Sequence, residues 1–496
     1  MYLSKSKYCQ LWQCPKLLWL EANHPELKTE DASREARMVA GNEIGDLAMG
    51  LFGNFTETTI VKEDGRMDIP AMLEKTRQCL ADGVENICEA AFSYNGLYCA
   101  VDILRKENGG YAIYEVKSST HEAEIYGVDI AYQKYVLEKC GINVTGTYLV
   151  CINSDYVRGE ELDIQGLFKI IDMTAWVELE YPVVENRLAV AEKTMASEAE
   201  PERDIGEHCT NPYDCAYWAY CSRHLPCPSV FDLYRLNTDK KFDYYRKGLI
   251  SFSDLLGAPK LNEKQLRQIQ HELSGCGDEI DKDGIREFLQ TLSYPIYFLD
   301  FETMQQPIPQ FPGAKPYAQL PFQYSLHYIE EPGGALKHKE FLAESGKDPR
   351  RTIAESICRD IPMNTCVTAY NKSFECSRLS ELAELFPDLA IHLLNVRDNI
   401  QDLLVPFRSG FYYNRAMNGS FSIKSVLPAL FPGDPELDYH NLEGVHNGGE
   451  AMTIFPQIKD MSPEDAEAAR KNLLAYCKLD TYAMVKVWEK LQEAAK

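Results

Sequence analysis

The sequence predicts a mixed α/β chain of two domains, residues 1–228 and 291–496, separated by a helical connector over 229–290. One sign is the run Tyr294-Pro295-Ile296-Tyr297-Phe298-Leu299-Asp300-Phe301-Glu302-Thr303, apolar and aromatic enough for a buried strand and closed by two acids. Another is a pair of tight-turn signals, Asn95-Gly96 and Asn108-Gly109-Gly110, set between β-patterned runs and followed by a long helix-patterned segment. The third is the stretch 231–292, charged and helix-patterned without strand signals. A chain of 496 residues is also longer than one hydrophobic core ordinarily supports.

From the N-terminus, residues 32–49 have helical spacing and include Gly41, Glu43, Gly45 and Asp46. Strands are expected over 87–93, 97–104 and 111–118, each joined to the next by one of the tight turns. A helix bearing Gln133 and Tyr135 follows over 123–140, closed by Gly141, and then a fourth strand over 144–152. Asp102 falls in the second strand. Glu115 and Lys117 share one face of the third, because strand residues two apart point the same way. Phosphodiester hydrolysis needs acids to hold a metal ion and a cation near the attacking water or the developing charge. An acid two residues before a lysine also arises by chance; Asp102 one strand earlier, in the right order, makes the set a candidate site.

Four cysteines at regular spacing come next, Cys209-x5-Cys215-x5-Cys221-x5-Cys227, in a stretch rich in proline, tyrosine and tryptophan. The first twenty-one residues are too interrupted by polar side chains to read as an export signal. Sixteen cysteines are then expected as reduced thiols in the cytoplasm, some of them metal ligands. Three of the series and a distant fourth, for which Cys14 in Gln13-Cys14-Pro15-Lys16 is the candidate, would complete a shell of four thiolates. Zinc and an iron–sulfur cluster are the alternatives. Zinc ribbons pair cysteines two to four residues apart, a spacing this series lacks. Cys9 and Cys227 read as buried thiols.

In the second half, Asp300 and Glu302 project from one face of their strand, where two crowded carboxylates either cap the next helix or share a metal ion. Antiparallel partners are expected over 322–329 and 339–342, a helix over 349–358 and a short strand over 365–370. Glu375 falls at a strand-to-helix turn, and Asp402 starts Asp402-Leu403-Leu404-Val405-Pro406-Phe407. On the last helix Tyr476 and Asp480 are four apart and share a face. The formal charge of −24 excludes a uniformly basic surface, yet leaves open acidic sites that meet nucleic acid through metal ions. No apolar run approaches the ~18 residues of a membrane span.

Residues 1–228 resemble the PD-(D/E)XK nuclease superfamily in its RecB-like branch, on Asp102, Glu115-x-Lys117 and the helix with Gln133. That branch often places a histidine four residues after a glycine on the first helix; counting from Gly41 reaches Gly45, which leaves Glu43 or Asp46 as substitutes. The resemblance implies a 4Fe-4S cluster on one early and three late cysteines, here Cys14, Cys209, Cys215 and Cys221. Residues 291–496 resemble the DEDD exonucleases, an RNase H-like fold, in their tyrosine variant. Asp300 and Glu302 match the first motif, Asn371-x-x-Phe374-Glu375 the second with Glu for the usual Asp, and Tyr476-x-x-x-Asp480 the third. Magnesium or manganese is implied on Asp102 and Glu115 in one half and on Asp300, Glu302, Glu375 and Asp480 in the other, with Tyr476 orienting water and Asp402 the alternative second-motif acid. The pairing of halves is similar to an uncharacterised bacterial family. What this implies is a cytoplasmic nuclease whose C-terminal site trims from a 3′ end, with nucleic acid as partner, DNA ahead of RNA, and no membrane. Two other readings stay open: a nucleic-acid-binding protein with one or both sites inactive, and an iron–sulfur redox sensor on a nuclease fold.

Overall fold

The computed structural model describes residues 2–29 and 32–496, without the side chains of 32–37. The chain forms two units, Met1–His224 with Gln306–Tyr317, and Leu225–Gln305 with Ala318–Lys496. Both are mixed α/β. Among the described residues no helix is long and apolar enough to cross a membrane.

The first unit begins with helices α1 (Lys5–Gln13), α2 (Pro15–Asn23), α3 (Ala32–Ala48) and α4 (Ile69–Asp82). The Asp68 side chain caps α4 and Gly83, at φ 70°, closes it in the left-handed conformation that glycine adopts without strain. Strands β1 (Asn86–Tyr94), β2 (Leu97–Glu107) and β3 (Gly110–Lys117) then form an antiparallel meander. Helix α5 (Glu124–Lys139) crosses over to β4 (Val144–Ile152), which pairs parallel with β3. A last strand, β5 (Phe168–Asp172), and helix α6 (Val184–Ala196) follow. The expected elements are present with ends shifted by a few residues; α4, β5 and α6 were not among them. Both sheet faces are covered. Val101, Ile113 and Leu149 pack against α1 and α5, while Ile103, Tyr114 and Val150 pack against Ile44 and Ala48 of α3.

In the second unit, helices α7 (Glu263–Ser274) and α8 (Lys282–Leu289) precede a five-stranded sheet. The capping box of Asn262 with Gln265 starts α7 at the expected place. The stretch read as a connector is part of this unit: Ile285 and Phe288 pack in the same core as Phe298. Its two-residue strand Glu279–Ile280, which pairs with Tyr412–Tyr413, is too short to show in a periodicity.

The sheet comprises β6 (Ile296–Met304), β7 (Leu320–Ile329), β8 (Lys337–Leu342), β9 (Cys366–Ala369) and β10 (Ile400–Asp402), ordered β8-β7-β6-β9-β10. Only β7 runs opposite to the others. Helices α9 (Arg350–Asp360), α10 (Ser373–Leu385) and α11 (Ala390–Asp398) cover one face, where Tyr297, Leu299 and Phe301 point. On the other face lie α12 (Ile423–Leu430), α13 (Gly448–Gln457) and the 32-residue α14 (Pro463–Ala494), against Ile296 and Phe298. Burial on both faces explains why β6 reads as a continuous apolar run rather than an alternating one.

Candidate metal centres

In the first unit, the third strand lifts Glu115 and Lys117 onto the face covered by α5 and α1. Asp102 stands one strand away. Its Oδ2 accepts from the Val116 backbone N–H at 2.7 Å, which locks the carboxylate beside Glu115. Lys117 Nζ donates to Glu115 Oε1 at 2.5 Å and to Asp129 Oδ2 at 3.1 Å. Gln133 Nε2 donates to Glu115 Oε2 at 2.7 Å and to Asp129 Oδ1 at 3.1 Å. Lys5 of α1 completes the set, 3.3 Å from Asp102 Oδ1 and 3.0 Å from Glu115 Oε1.

These groups set one another's charge. Burial, and then the Glu115 charge, push the Asp102 carboxyl up to about 6. Burial also opposes ionisation of Glu115, but Lys117 and Lys5 outweigh it and hold that carboxyl well below the usual range. Lys117 is kept protonated by Glu115 and Asp129 against the pull of its own burial. Glu89 of β1 lies within reach of the same field, its carboxyl pushed up to about 7 by burial and Asp102.

Glu43 and Asp46 are exposed on α3. Cys9, read as a buried spare, is half-buried one helical turn beyond Lys5, where burial and Asp129 push its thiol up.

In the second unit, Asp300 and Glu302 continue the face of β6 that Ile296 and Phe298 begin, which turns them toward α14. There Tyr476, Cys477 and Asp480 present one face of the helix. Asp300, Glu302 and Cys477 offer ligand atoms that all lie within 4.8 Å of one another. Tyr439 donates to Asp480 Oδ1 at 2.6 Å, and Tyr476 also hydrogen-bonds Asp480. An exposed lysine, Lys424, stands 5.4 Å from the Tyr439 ring centroid and 5.6 Å from that of Tyr476. The start of α13 closes the site: a Cβ on Gly448 would stand 3.5 Å from Glu302 Oε2.

Glu375, in the first turn of α10, is buried with Oε2 lacking any hydrogen-bond partner. Asp402 is differently employed. Its Oδ1 accepts from the backbone N–H groups of Asn371 (2.9 Å) and Leu404 (3.0 Å), tying the end of β10 to the turn before α10. Burial raises all four acids: Asp300 and Glu302 far above the usual range, with Asp480 the next cause for each, Asp480 to about 6 and Glu375 to about 8. Lys424 pulls Glu302 and Asp480 the other way. Burial and Asp480 raise the Tyr476 phenol well above its usual value.

Cys14, Cys209, Cys215 and Cys221 line one small cavity of about 20 Å³ with Leu20 and Tyr217. Cys14 ends α1 and starts α2. Gln13 Nε2 binds the segment of the other three through the carbonyls of His208 (2.9 Å) and Tyr213 (2.7 Å). The Cys215 N–H donates to the Cys209 carbonyl at 2.8 Å, so the late cysteines curl about the cavity. Among the described residues, no three of these sulfurs lie within 4.8 Å of one another. Cys227, expected to be buried, is exposed, because it follows the last turn of this curl.

Lys5, Glu89, Asp129, Lys424 and Tyr439 were missed from the sequence. Asp129 stands four before Gln133, a helix-face spacing that could have been counted. Glu89 could have been found as well, since the Asn95-Gly96 turn pairs Tyr94 with Leu97 and so sets Glu89 opposite Asp102. Nothing local marks Lys5, Lys424 or Tyr439.

Residues 297–422 match a domain of unknown function (DUF2779), a stretch that includes Asp300, Glu302, Glu375 and Asp402 but stops before Lys424, Tyr476 and Asp480. The chain is also similar to the uncharacterized protein UU173 of Ureaplasma parvum serovar 3, 29% identical over 227 residues. That match covers 40% of this chain and 31% of the relative.

Proposed function

We propose that this chain is a metal-dependent nuclease with a PD-(D/E)XK-like site in its first unit and an RNase H-like, 3′→5′ exonucleolytic site in its second. The observation that carries the reading is that Asp300 and Glu302 offer ligand atoms within 4.8 Å of each other, while the buried Glu375 and Asp480, from two other segments, act on both through their charge. Among the described residues Lys424 acts on Glu302 and Asp480 and Arg378 on Glu375, and two cations do not offset four carboxylates. A divalent cation would neutralise such a set and favour ionisation of all four acids at neutral pH. Magnesium or manganese on these acids would supply Lewis-acid polarisation of the phosphate and an activated water.

The chain's own groups have narrower tasks. Tyr476 stays a protonated phenol among the acids, so it orients by donating a hydrogen bond and does not act as a base. Lys117 likewise remains an ammonium, suited to stabilising negative charge on the phosphate of a nucleic acid. Gln133 holds Glu115 in place. Asp102 and Glu115 would hold the metal ion of this first site.

Four thiols are the donor type that a 4Fe-4S cluster takes, with a single zinc ion as the rival. One early and three late thiols lining a single cavity support a multi-iron cluster on Cys14, Cys209, Cys215 and Cys221, which would staple the two ends of the unit. Thiolates of that kind stay reduced in the cytoplasm, where we place the protein.

The test is degradation of end-labelled DNA and RNA by anaerobically purified protein with Mg²⁺ or Mn²⁺. Lys117→Ala should remove one cleavage pattern and Asp300→Ala another, the latter the trimming from 3′ ends. If Asp300→Ala leaves every pattern intact while Lys117→Ala removes all, the second unit is a binding module that kept its acids.

A further inference from the structure

We infer that Glu89 is the third carboxylate of the first site and ligates the same divalent ion as Asp102 and Glu115. The inference rests on the reading of that site as metal-dependent, and it begins with strand register. Cys88 pairs with Ile103 and Ala90 with Val101, so Glu89 stands directly opposite Asp102. On the other side of β2 the ladder with β3 ends at Ile103 and Tyr114, and just beyond it Asp102 Oδ2 accepts from the Val116 N–H while Asp102 and Glu115 share Lys5. Three acids therefore stand at neighbouring positions on three adjacent strands; among the described residues their oxygens do not all lie within 4.8 Å of one another, and an ion would have to draw them together.

Like charges so placed repel unless a cation joins them. Lys5 answers for Asp102 and Glu115. Among the described residues the Glu89 carboxylate makes no direct ion pair, and Lys5 acts on it only through its field. Ionised, Glu89, Asp102, Glu115 and Asp129 outnumber Lys5 and Lys117 by two charges, the charge of one divalent ion.

The backbone is bent to this arrangement. Glu89 has φ 54°, a left-handed conformation unusual for a non-glycine residue in a strand. The alternation of faces breaks there: Ile87 and Ala90 pack in one core with Cys88 in the other, and across the ladder Leu104 and Val101 pack in the first with Ile103 in the second. Thr58 secures the bend, its hydroxyl donating to the Glu89 carbonyl at 2.6 Å and its N–H to the Cys88 carbonyl at 2.9 Å. Strain of this kind persists where surrounding contacts enforce it. A separate sign of a missing partner is Gln133, fully buried beside Glu115 with its amide oxygen accepting from no donor. A water on the ion would supply one.

The experiment is Mn²⁺ titration of the full chain by calorimetry and electron paramagnetic resonance, in an Asp300→Asn/Asp480→Asn background that weakens the second site. Glu89→Gln should weaken Mn²⁺ binding at least tenfold, as Asp102→Asn does, and abolish most of the metal-induced rise in Tm. Its metal-free Tm should equal or exceed the parent's, because a repelling charge is gone; Glu89→Ala is the second variant if the amide disturbs folding. Unchanged Mn²⁺ affinity in Glu89→Gln with weakened affinity in Asp102→Asn removes Glu89 from the ligands and leaves the site standing. Unchanged affinity in both overturns the metal reading of the first site, and Glu89 with it.

Discussion

Replacing Glu375 by glutamine separates the energetic cost of this side chain from its use. Burial pushes its carboxyl from an ordinary 4.5 up to about 8, with Asp402 adding to the rise and Oε2 finding no donor. Well below pH 4.5 the group is protonated whether the chain is folded or not, and it costs nothing. As pH rises, the unfolded carboxyl ionises first, so metal-free stability falls until the folded one ionises near 8. Linkage puts the loss under about 1 kcal/mol at pH 5 and at roughly 4 kcal/mol at pH 8, less whatever the neighbouring acids share. Glutamine keeps the shape and removes the proton equilibrium. In EDTA at pH 8, Glu375→Gln should therefore melt higher than the parent by about 8 °C, and by about 2 °C or less at pH 5, in a calorimetric scan. With Mg²⁺ the order reverses: the parent gains stability that the variant does not. Exonuclease activity should fall in Glu375→Gln as far as in Asp300→Asn, while Glu375→Asp keeps part of it. Equal melting of parent and variant at pH 8 without metal would refute the claim that a strained, ion-seeking carboxylate sits here.

Two further outcomes follow from the cysteines and from Lys424. Freshly purified protein should be brown with broad visible absorbance, and Cys14→Ser or Cys215→Ser should lower both iron content and solubility, since the cluster closes a long loop; a colourless protein with one stoichiometric zinc overturns the iron assignment and keeps the staple. Lys424→Met preserves packing on Tyr439 and Tyr476 but withdraws the charge that favours ionised Glu302 and Asp480. The acid limb of the pH–rate profile should then move up by about half a pH unit at low salt and less at high salt; an unmoved limb at low salt removes Lys424 from the site's electrostatics.

Much of this protein is legible in its sequence because the relevant forces are local. Tyr294 to Thr303 announces a strand buried on both faces. Asn95-Gly96 fixes a hairpin, and the spacing of Tyr476 and Asp480 puts both on one side of a helix whatever surrounds them. Three of the four cysteines around one cavity were legible as a series, with Cys14 as the expected distant fourth. What only the tertiary structure decided is which distant groups meet. Lys5 reaches acids 97 and 110 residues away, and Lys424 and Tyr439 reach Asp480 from segments whose own patterns read as ordinary surface and loop. The contest between Glu375 and Asp402 is of the same kind. Both are acids beside strand ends, and only hydrogen-bond accounting in the folded chain shows Asp402 spent on two backbone N–H groups and Glu375 left with an empty oxygen. Periodicity records which side of an element is buried. It holds no record of what that side is buried against, because a carboxylate's charge state and its partners are set by field and geometry summed over the whole fold.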